Sequence, residues 1–299
     1  MQDPDKHWQV NNTLGECPIW DPRSQRLLWV DIQQSKFWSL DPETDAPLSY
    51  ELPQRMGSFG LMSEQGTYIG AVEDGFAIFT PAQGRFDPIA PILKPHEHLR
   101  MNDGRVDRAG HFWAGSMEEI PPEPRQPKGK FMRLSPGADG KPEISDYFEN
   151  TKIPNSLCWS ADGKTLYFAD STKGCIMKTG YDAATGAVGS PQIFAGPYTT
   201  GAPDGSCIDA QDHLWNAVWG AGKIIRYRPD GTDALTLNLP VSQPTCVCIG
   251  GKNLDQLFVT TATDGLDTEA LEAQPLAGTI LRYDLGIKGR KENIYGMCQ

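Results

Sequence analysis

The sequence predicts an all-β chain folded as a six-bladed β-propeller. Three observations carry that expectation: a strand-like unit recurs six times, turn residues punctuate each copy, and no segment of a dozen residues keeps a helical period. The 299 residues include 31 glycines and 24 prolines, which is turn-rich without being low-complexity. The unit is a turn of Asp, Gly or Ser, then an aromatic or aliphatic pair, then small or polar residues. Its anchors are Trp29, Ile69, Trp113, Tyr167, Trp215 and Phe258, at intervals of roughly 40 to 54 residues, a period between those of two propeller repeats.

Each copy carries a second run of β-branched and aromatic residues closed by Gly, Pro, Asp or Asn, as in Phe37-Trp38-Ser39-Leu40 and Lys223-Ile224-Ile225-Arg226-Tyr227. That is strand chemistry. A lone four-stranded blade leaves both faces uncovered, and radial stacking buries them while exposing only short edges. A β-sandwich or a β-solenoid is the competing architecture, and the copy number favours the ring. The whole chain, 1–299, then forms one domain without an internal linker. A strand near Trp8-Gln9-Val10 is expected to join the last blade and close the ring. Leu266 to Ala273 is the best helical candidate.

Charge narrows the partners. Lys and Arg number 27 against 38 Asp and Glu, a balance of −11, which argues against nucleic acid or an anionic membrane as the main partner. No window approaches the apolar length of a membrane span. The start, Met1-Gln2-Asp3-Pro4-Asp5-Lys6-His7, lacks the layout of a signal peptide. The seven cysteines form no CxxC pair and several sit in apolar runs, which reads as reduced thiols of a cytoplasmic protein.

Internal symmetry picks out a candidate site. Aligning the first strand of each repeat on Trp20, Met62, Val106, Trp159, Ile208 and Ile249 places a polar residue four positions earlier in every copy. These are Glu16, Ser58, Asn102, Asn155, Asp204 and Thr245. First strands line the central channel of a propeller, so the six are expected to ring one mouth. Two carboxylates and two amides there make a hard, oxygen-rich site for a divalent cation. Taken singly, Asn102-Asp103-Gly104, Pro154-Asn155 and Pro203-Asp204 also fit ordinary turns.

These residues carry a family resemblance. Leu14-Gly15-Glu16-Cys17-Pro18-Ile19-Trp20-Asp21, Arg100-Met101-Asn102-Asp103-Gly104, Pro154-Asn155-Ser156 and Pro203-Asp204-Gly205 resemble the senescence marker protein-30/gluconolactonase family. The resemblance runs from Leu14 to Tyr283. It implies a six-bladed propeller with one divalent metal in the channel mouth and hydrolysis of a sugar lactone to an aldonic acid. It places the metal ligands at Glu16, Asn155 and Asp204, and the substrate-contacting pair at Arg100 and Asn102. The metal stays open among Ca²⁺, Zn²⁺, Mn²⁺, Mg²⁺ and Fe²⁺. The family pattern usually has glycine where this chain has Cys17, and often where it has Ser156. Cys17 is expected to pack behind its strand, with contact to the metal as the alternative.

Lactone hydrolysis requires a polarised carbonyl, an activated water and a stabilised oxyanion, and a divalent cation serves the first and third. The resemblance gives Asp204 a dual role as ligand and as acceptor of the water proton, leaving Glu16 as a fixed ligand. Ser58 and Thr245 are expected to complete the polar rim. Met117 to Pro127 is the longest insertion and reads as a lid, with Glu119 a candidate for a sugar hydroxyl. Lys128 and Lys130 read as a solvated strand end, with help to Arg100 in holding an anionic group as the alternative. His96 and His98 lie in a Pro-flanked loop and read as turn residues. No Gly-x-Ser-x-Gly elbow or phosphate-binding loop is present. The competing functions are a metal-binding scaffold without catalysis and a metal-dependent esterase or phosphotriesterase. A monomer or weak homodimer is expected.

Overall fold

The computed structural model describes residues 2–94, 98–119, 126–137 and 141–297. His96, Cys298 and the centre of the expected lid, residues 120–125, lie outside them. Six sheets with four antiparallel strands each follow one another along the chain, the second gaining a fifth, parallel strand from the C-terminal segment. Their first strands are Gly15–Asp21, Met56–Met62, Leu99–Val106, Pro154–Trp159, Ala202–Ile208 and Pro244–Gly250, which open blades 1 to 6. Consecutive first strands touch, and the sixth touches the first, so the blades form a ring around an axial channel. The anchors of the repeat fall on second strands and the β-branched runs on third strands, as in Arg26–Asp31 and Lys36–Asp41 of blade 1.

The apolar side chains segregate into six clusters, one between each pair of neighbouring blades. Blades 1 and 2 meet over Phe37, Phe59, Tyr68 and Phe79. Blades 3 and 4 meet over Trp113, Phe131, Trp159 and Phe168. Blades 6 and 1 meet over Trp8, Trp20, Trp29 and Phe258. Trp29, Trp113 and Trp215 are buried there, so they are blade core. Each indole N–H has a partner: Asn12 Oδ1 at 3.1 Å, Asp107 Oδ2 at 3.2 Å and Asp209 Oδ2 at 3.0 Å. Satisfying that donor is what permits so large a ring to be buried.

The ring closes through the N-terminus, slightly earlier than expected. Lys6–Trp8 is the outer strand of blade 6 and pairs Trp8 with Ile280; Gln9 and Val10 lie past the strand. Trp8 also donates to Asp45 Oδ1 of blade 1 at 2.9 Å, fastening the seam. The helix is Thr268–Ala273, begun by Asp267, whose side chain accepts from the Ala270 amide. A feature absent from the sequence reading is the C-terminal segment. Ile294–Tyr295 pairs in parallel with Leu61–Met62 of blade 2, Glu292 is ion-paired to Arg105, and Asn293 donates to the Val106 carbonyl. The tail therefore straps the end of the channel at which the first strands finish. No helix among the described residues is long and apolar enough to cross a membrane.

Every first strand contains a bulge near the same end, its position shifting by one or two residues between blades. Between Glu16 and Ile19, Met101 and Gly104, Asn155 and Cys158, and Pro203 and Ser206, the strand carries one residue more than its partner. Blades 2 and 6 slip likewise at Met56/Ser58 and Pro244/Cys246. Bulges of this kind turn side chains off the pleat. They also demand unusual backbone: Cys17 and Ser156 have φ of 51° and 62°, the left-handed region that favours glycine. Glycine at either position would relieve that strain.

Two outcomes follow for stability. Trp8→Ala removes a buried indole and the seam hydrogen bond, and should lower the unfolding free energy by about 3–5 kcal/mol in urea titrations. At the strained bulge, Cys17→Gly should be more stable than Cys17→Ala by about 1 kcal/mol in the same titration, reversing the usual order of the two residues.

Candidate functional site

The first strands all begin at one end of the channel, and there a cavity of about 250 Å³ opens. Glu16, Arg100, Asn102, Asn155 and Asp204 line it together with Leu14, Met117, Ile153, Ser171, Ala202, Trp219 and Asp264. Five of the six blades contribute. The register is less uniform than a simple count back from the apolar residue assumes. Glu16 and Asn155 are the last paired residues before their bulges, whereas Asn102 and Asp204 belong to the bulges. One-residue offsets would ordinarily send side chains to opposite faces; the bulges bring all four to the cavity.

Ser58 and Thr245 do not complete the rim, which corrects the expectation from symmetry. Both are fully buried. Ser58 Oγ donates to the Asn102 carbonyl at 2.8 Å, and Thr245 Oγ1 donates to the Gly15 carbonyl. Ser156 Oγ does the same to the Asp204 carbonyl at 2.5 Å. These hydroxyls tie each blade to the backbone of the next beside a site residue. Cys17 also faces away from the cavity: its Sγ lies 3.6 Å from the Phe59 carbonyl of blade 2, and burial pushes its thiol up.

The electrostatics of the floor are unbalanced. Glu16 and Asp204 are buried, and neither forms an ion pair among the described residues. Burial, and then the charge of Asp103, push the Glu16 carboxyl up to about 8. Burial, and then the charge of Glu16, raise Asp204 well above the carboxylate range. Each is oriented by the amide that follows it, Cys17 at 3.3 Å for Glu16 and Gly205 for Asp204. Two buried carboxylates that repel one another require a proton or a cation between them.

The amides are held in a definite orientation. Asn155 Nδ2 donates to Ser171 Oγ at 2.8 Å, and Ser171 Oγ donates to the Pro203 carbonyl at 2.7 Å, so the Asn155 oxygen is turned toward Asn102. Asn102 Nδ2 donates to that oxygen at 3.1 Å and to the Pro154 carbonyl at 2.9 Å. Its own oxygen accepts from Arg100 Nη1 at 2.7 Å. Asn102 is thus fully engaged with protein and links Arg100 to Asn155. Arg100 Nε donates to Glu119 Oε1 at 3.0 Å, and Arg55 Nη1 reaches the same oxygen at 2.5 Å. Arg55 is itself paired with Glu73. Glu119 therefore anchors two arginines and lines a neighbouring cavity with Gln54, Asp74 and His98. Lys128 and Lys130 pair with Glu118 and Asp146, as a strand end rather than as partners of Arg100. Arg55, Ser171 and Asp103 were not found from the sequence. Asp103 stands inside the Arg100–Gly104 motif but off the recurring polar position; the other two lie outside the symmetry positions.

The donor set suits a hard cation. Among the described residues no three His, Cys, Asp or Glu side chains stand together as a metal cluster. The cavity instead offers the carboxylates of Glu16 and Asp204 and the amide oxygen of Asn155, an all-oxygen set. The negative charge left on the two acids fits a divalent ion.

Fold and site together define a six-bladed propeller with an acidic, amide-flanked pocket on its axis. The chain belongs to the SMP-30/gluconolactonase/LRE-like family, whose model matches residues 14–263. It is 34% identical to regucalcin of Oryctolagus cuniculus over 284 residues, 93% of each chain. Among solved structures it is similar to a calcium-binding protein, regucalcin, from Agrobacterium tumefaciens, with a TM-score of 0.90, 29% identity and 98% of each chain covered. A luciferin-regenerating enzyme superposes with a TM-score of 0.86 at 28% identity, covering 95% of this chain and 96% of that one.

The raised carboxyls set a pH dependence. A carboxyl lifted above its unfolded value of about 4.5 stabilises the protonated fold. That contribution is complete at pH 4 and disappears as pH rises toward about 8, the Glu16 value. The melting temperature of EDTA-treated protein should therefore fall between pH 5 and 8, and Glu16→Gln should flatten that slope. Cation binding should release protons below about pH 8 and tighten as pH rises, measurable by calorimetry in buffers of different ionisation enthalpy.

Proposed function

We propose that the chain is a metal-dependent lactonase that opens sugar lactones to aldonic acids. The observation that carries this reading is the pairing of two uncompensated buried carboxylates with a guanidinium whose Nη2 has no partner among the described residues. A cation held only for structure does not need that donor. The family's description includes gluconolactonase, which supports the lactone as substrate. The relative described as a calcium-binding protein favours a second reading, a propeller that holds the ion without turnover.

Glu16, Asn155 and Asp204 would hold the cation. When bound, a divalent ion supplies Lewis acidity and lowers the pKa of water. Asp204 accepts the proton of the attacking water, a role open to it because no cation among the described residues pairs with its carboxylate. Arg100 directs Nη2 at the oxygens of the substrate, while Glu119 and Asn102 fix its other nitrogens and hold the plane of the guanidinium. Asn102 also fixes the Asn155 amide, so both halves of the site share one positioning residue. Met117, Ile153 and Trp219 supply apolar wall and exclude water from the reacting carbonyl.

The test is the initial rate on freshly dissolved glucono-1,5-lactone, followed by proton release in weak buffer. EDTA-treated protein should be inactive and recover with Ca²⁺, Mn²⁺ or Zn²⁺. Asp204→Asn should lower kcat by about 10²–10⁴-fold. One bound metal with no rate above background on that lactone or a pentonolactone would select the scaffold reading.

A further inference from the structure

The C-terminal segment crosses the far end of the channel and touches five blades in turn. The Gly289 amide donates to the Leu254 carbonyl of blade 6 at 2.7 Å, and the Lys288 carbonyl accepts from the Ala210 amide of blade 5 at 2.8 Å. Arg290 Nη2 donates to the Ala161 carbonyl of blade 4 at 3.3 Å. Asn293 then joins blade 3 and Ile294–Tyr295 joins blade 2. The crossing is basic, with Lys288, Arg290 and Lys291 close together in the chain. Lys288 is paired with Asp255; the other two are not ion-paired among the described residues.

Under the segment lies a small cleft of about 30 Å³, walled by Arg105 and Arg108 of blade 3, Cys158 of blade 4, Cys207 of blade 5, and Arg290, Lys291 and Glu292. Its charged lining is four cations and one acid, in a chain whose overall balance is −11. Arg105 is committed, since it is ion-paired to Glu292 and donates to the Ser206 carbonyl. Arg108 is bonded only to neutral oxygens, through Nη1 to Asn293 Oδ1 at 2.9 Å and Nε to the Ser160 carbonyl at 3.4 Å. Arg290 Nε is buried without a hydrogen-bond partner among the described residues, and Lys291 is exposed at the lip. Burial, and then the charge of Arg290, lower the Arg108 guanidinium from its ordinary value.

Nothing in the walls offsets this crowding. Burial pushes the thiols of Cys158 and Cys207 up, so neither supplies a thiolate. The acids of the adjoining turns, Asp162 and Asp212, line a separate cavity between blades 4 and 5. Neighbouring guanidinium groups removed from water need a counter-charge. Their planar forks suit the oxygens of a phosphate group, which accept charge-assisted hydrogen bonds from several directions at once.

We propose that this cleft is an anion site that takes a phosphate group between Arg108 of blade 3 and Arg290 and Lys291 of the C-terminal segment, and that the bound group fastens the segment to the ring. The first strands begin at Glu16, Asn155 and Asp204 and finish here, so the site is separate from the axial pocket and independent of the chemistry proposed there. The open lip at Lys291 admits either the free ion or the phosphate end of a small ester.

Calorimetric titration and thermal unfolding of the full chain, with sodium phosphate against sodium chloride at matched ionic strength, test the site. About 10 mM phosphate should raise the melting temperature by about 2–4 °C where chloride does not. Arg290→Gln and Lys291→Gln should each weaken phosphate binding about tenfold, and Arg290→Lys should recover only part of the loss because it keeps the charge without the fork. Melting in the absence of phosphate reports that the variants are folded, and the exposed Lys291 keeps the test open if Arg290→Gln is unstable. EDTA-treated and cation-loaded protein should bind phosphate alike. Equal shifts with phosphate and chloride would reduce the effect to general screening and overturn the inference. So would binding unchanged in Lys291→Gln and Arg290→Gln, or binding that requires the loaded cation, which would move the anion to the axial pocket. Glycerol 2-phosphate separates the two sources: binding comparable to that of inorganic phosphate supports a phosphorylated small molecule, and binding of inorganic phosphate alone supports the free ion.

Discussion

A four-stranded antiparallel blade has two apolar faces and no layer of its own to cover them. Everything else in this structure follows from solving that problem with neighbours. Six clusters of Trp, Phe, Tyr, Leu and Val fill the wedges between blades, and the hydrophobic gain is complete only when the sixth wedge is closed. The N-terminal strand closes it by joining blade 6. Because packing is between sheets, the axis is left as a narrow channel lined by first strands, and polar side chains from distant parts of the sequence can converge there.

Convergence alone does not make a site, since a regular strand sends alternate residues to opposite faces. The bulge repeated in every first strand resolves this. It places Asn102 and Asp204, within bulges, beside Glu16 and Asn155, just before them. The strain of that geometry shows as positive φ at Cys17 and Ser156. It is held by hydroxyls that reach across to the next blade from Ser58, Ser156 and Thr245. Residues at three positions of the symmetric ring therefore touch the next blade through their side chains or those of their neighbours, and they support the site from behind.

The charge arrangement separates two kinds of acid. Glu16 and Asp204 are buried without a counter-ion among the described residues; burial and then Asp103 push Glu16 up, and burial and then Glu16 push Asp204 up, which suits them to hold a cation. Glu119 and Glu73 are each committed to arginine, which fixes Arg100 and removes its net charge from the pocket. One carboxylate of either kind would read the same in a sequence; their partners decide which role each can take.

The fold was legible in the chain because its signals are local and repeated: anchors such as Trp29, Trp113 and Trp215, turn residues, and the absence of helical period. So was the set Glu16, Asn102, Asn155 and Asp204, because one polar position recurs in six copies and the surrounding motifs match a family. What the sequence could not decide was direction. Ser58 and Thr245 share the recurring position but turn to a neighbouring backbone. Glu119 turns to Arg100 and Arg55, and Asn102 spends its amide on protein groups. The strap across the far channel end, and the approach of Ser171 and Asp264 to one pocket, depend on contacts between blades far apart in the chain. Periodicity determines which residues lie at a given height on the axis; only the packed ring, with its bulges and its pairing of charges, decides which of them face the pocket.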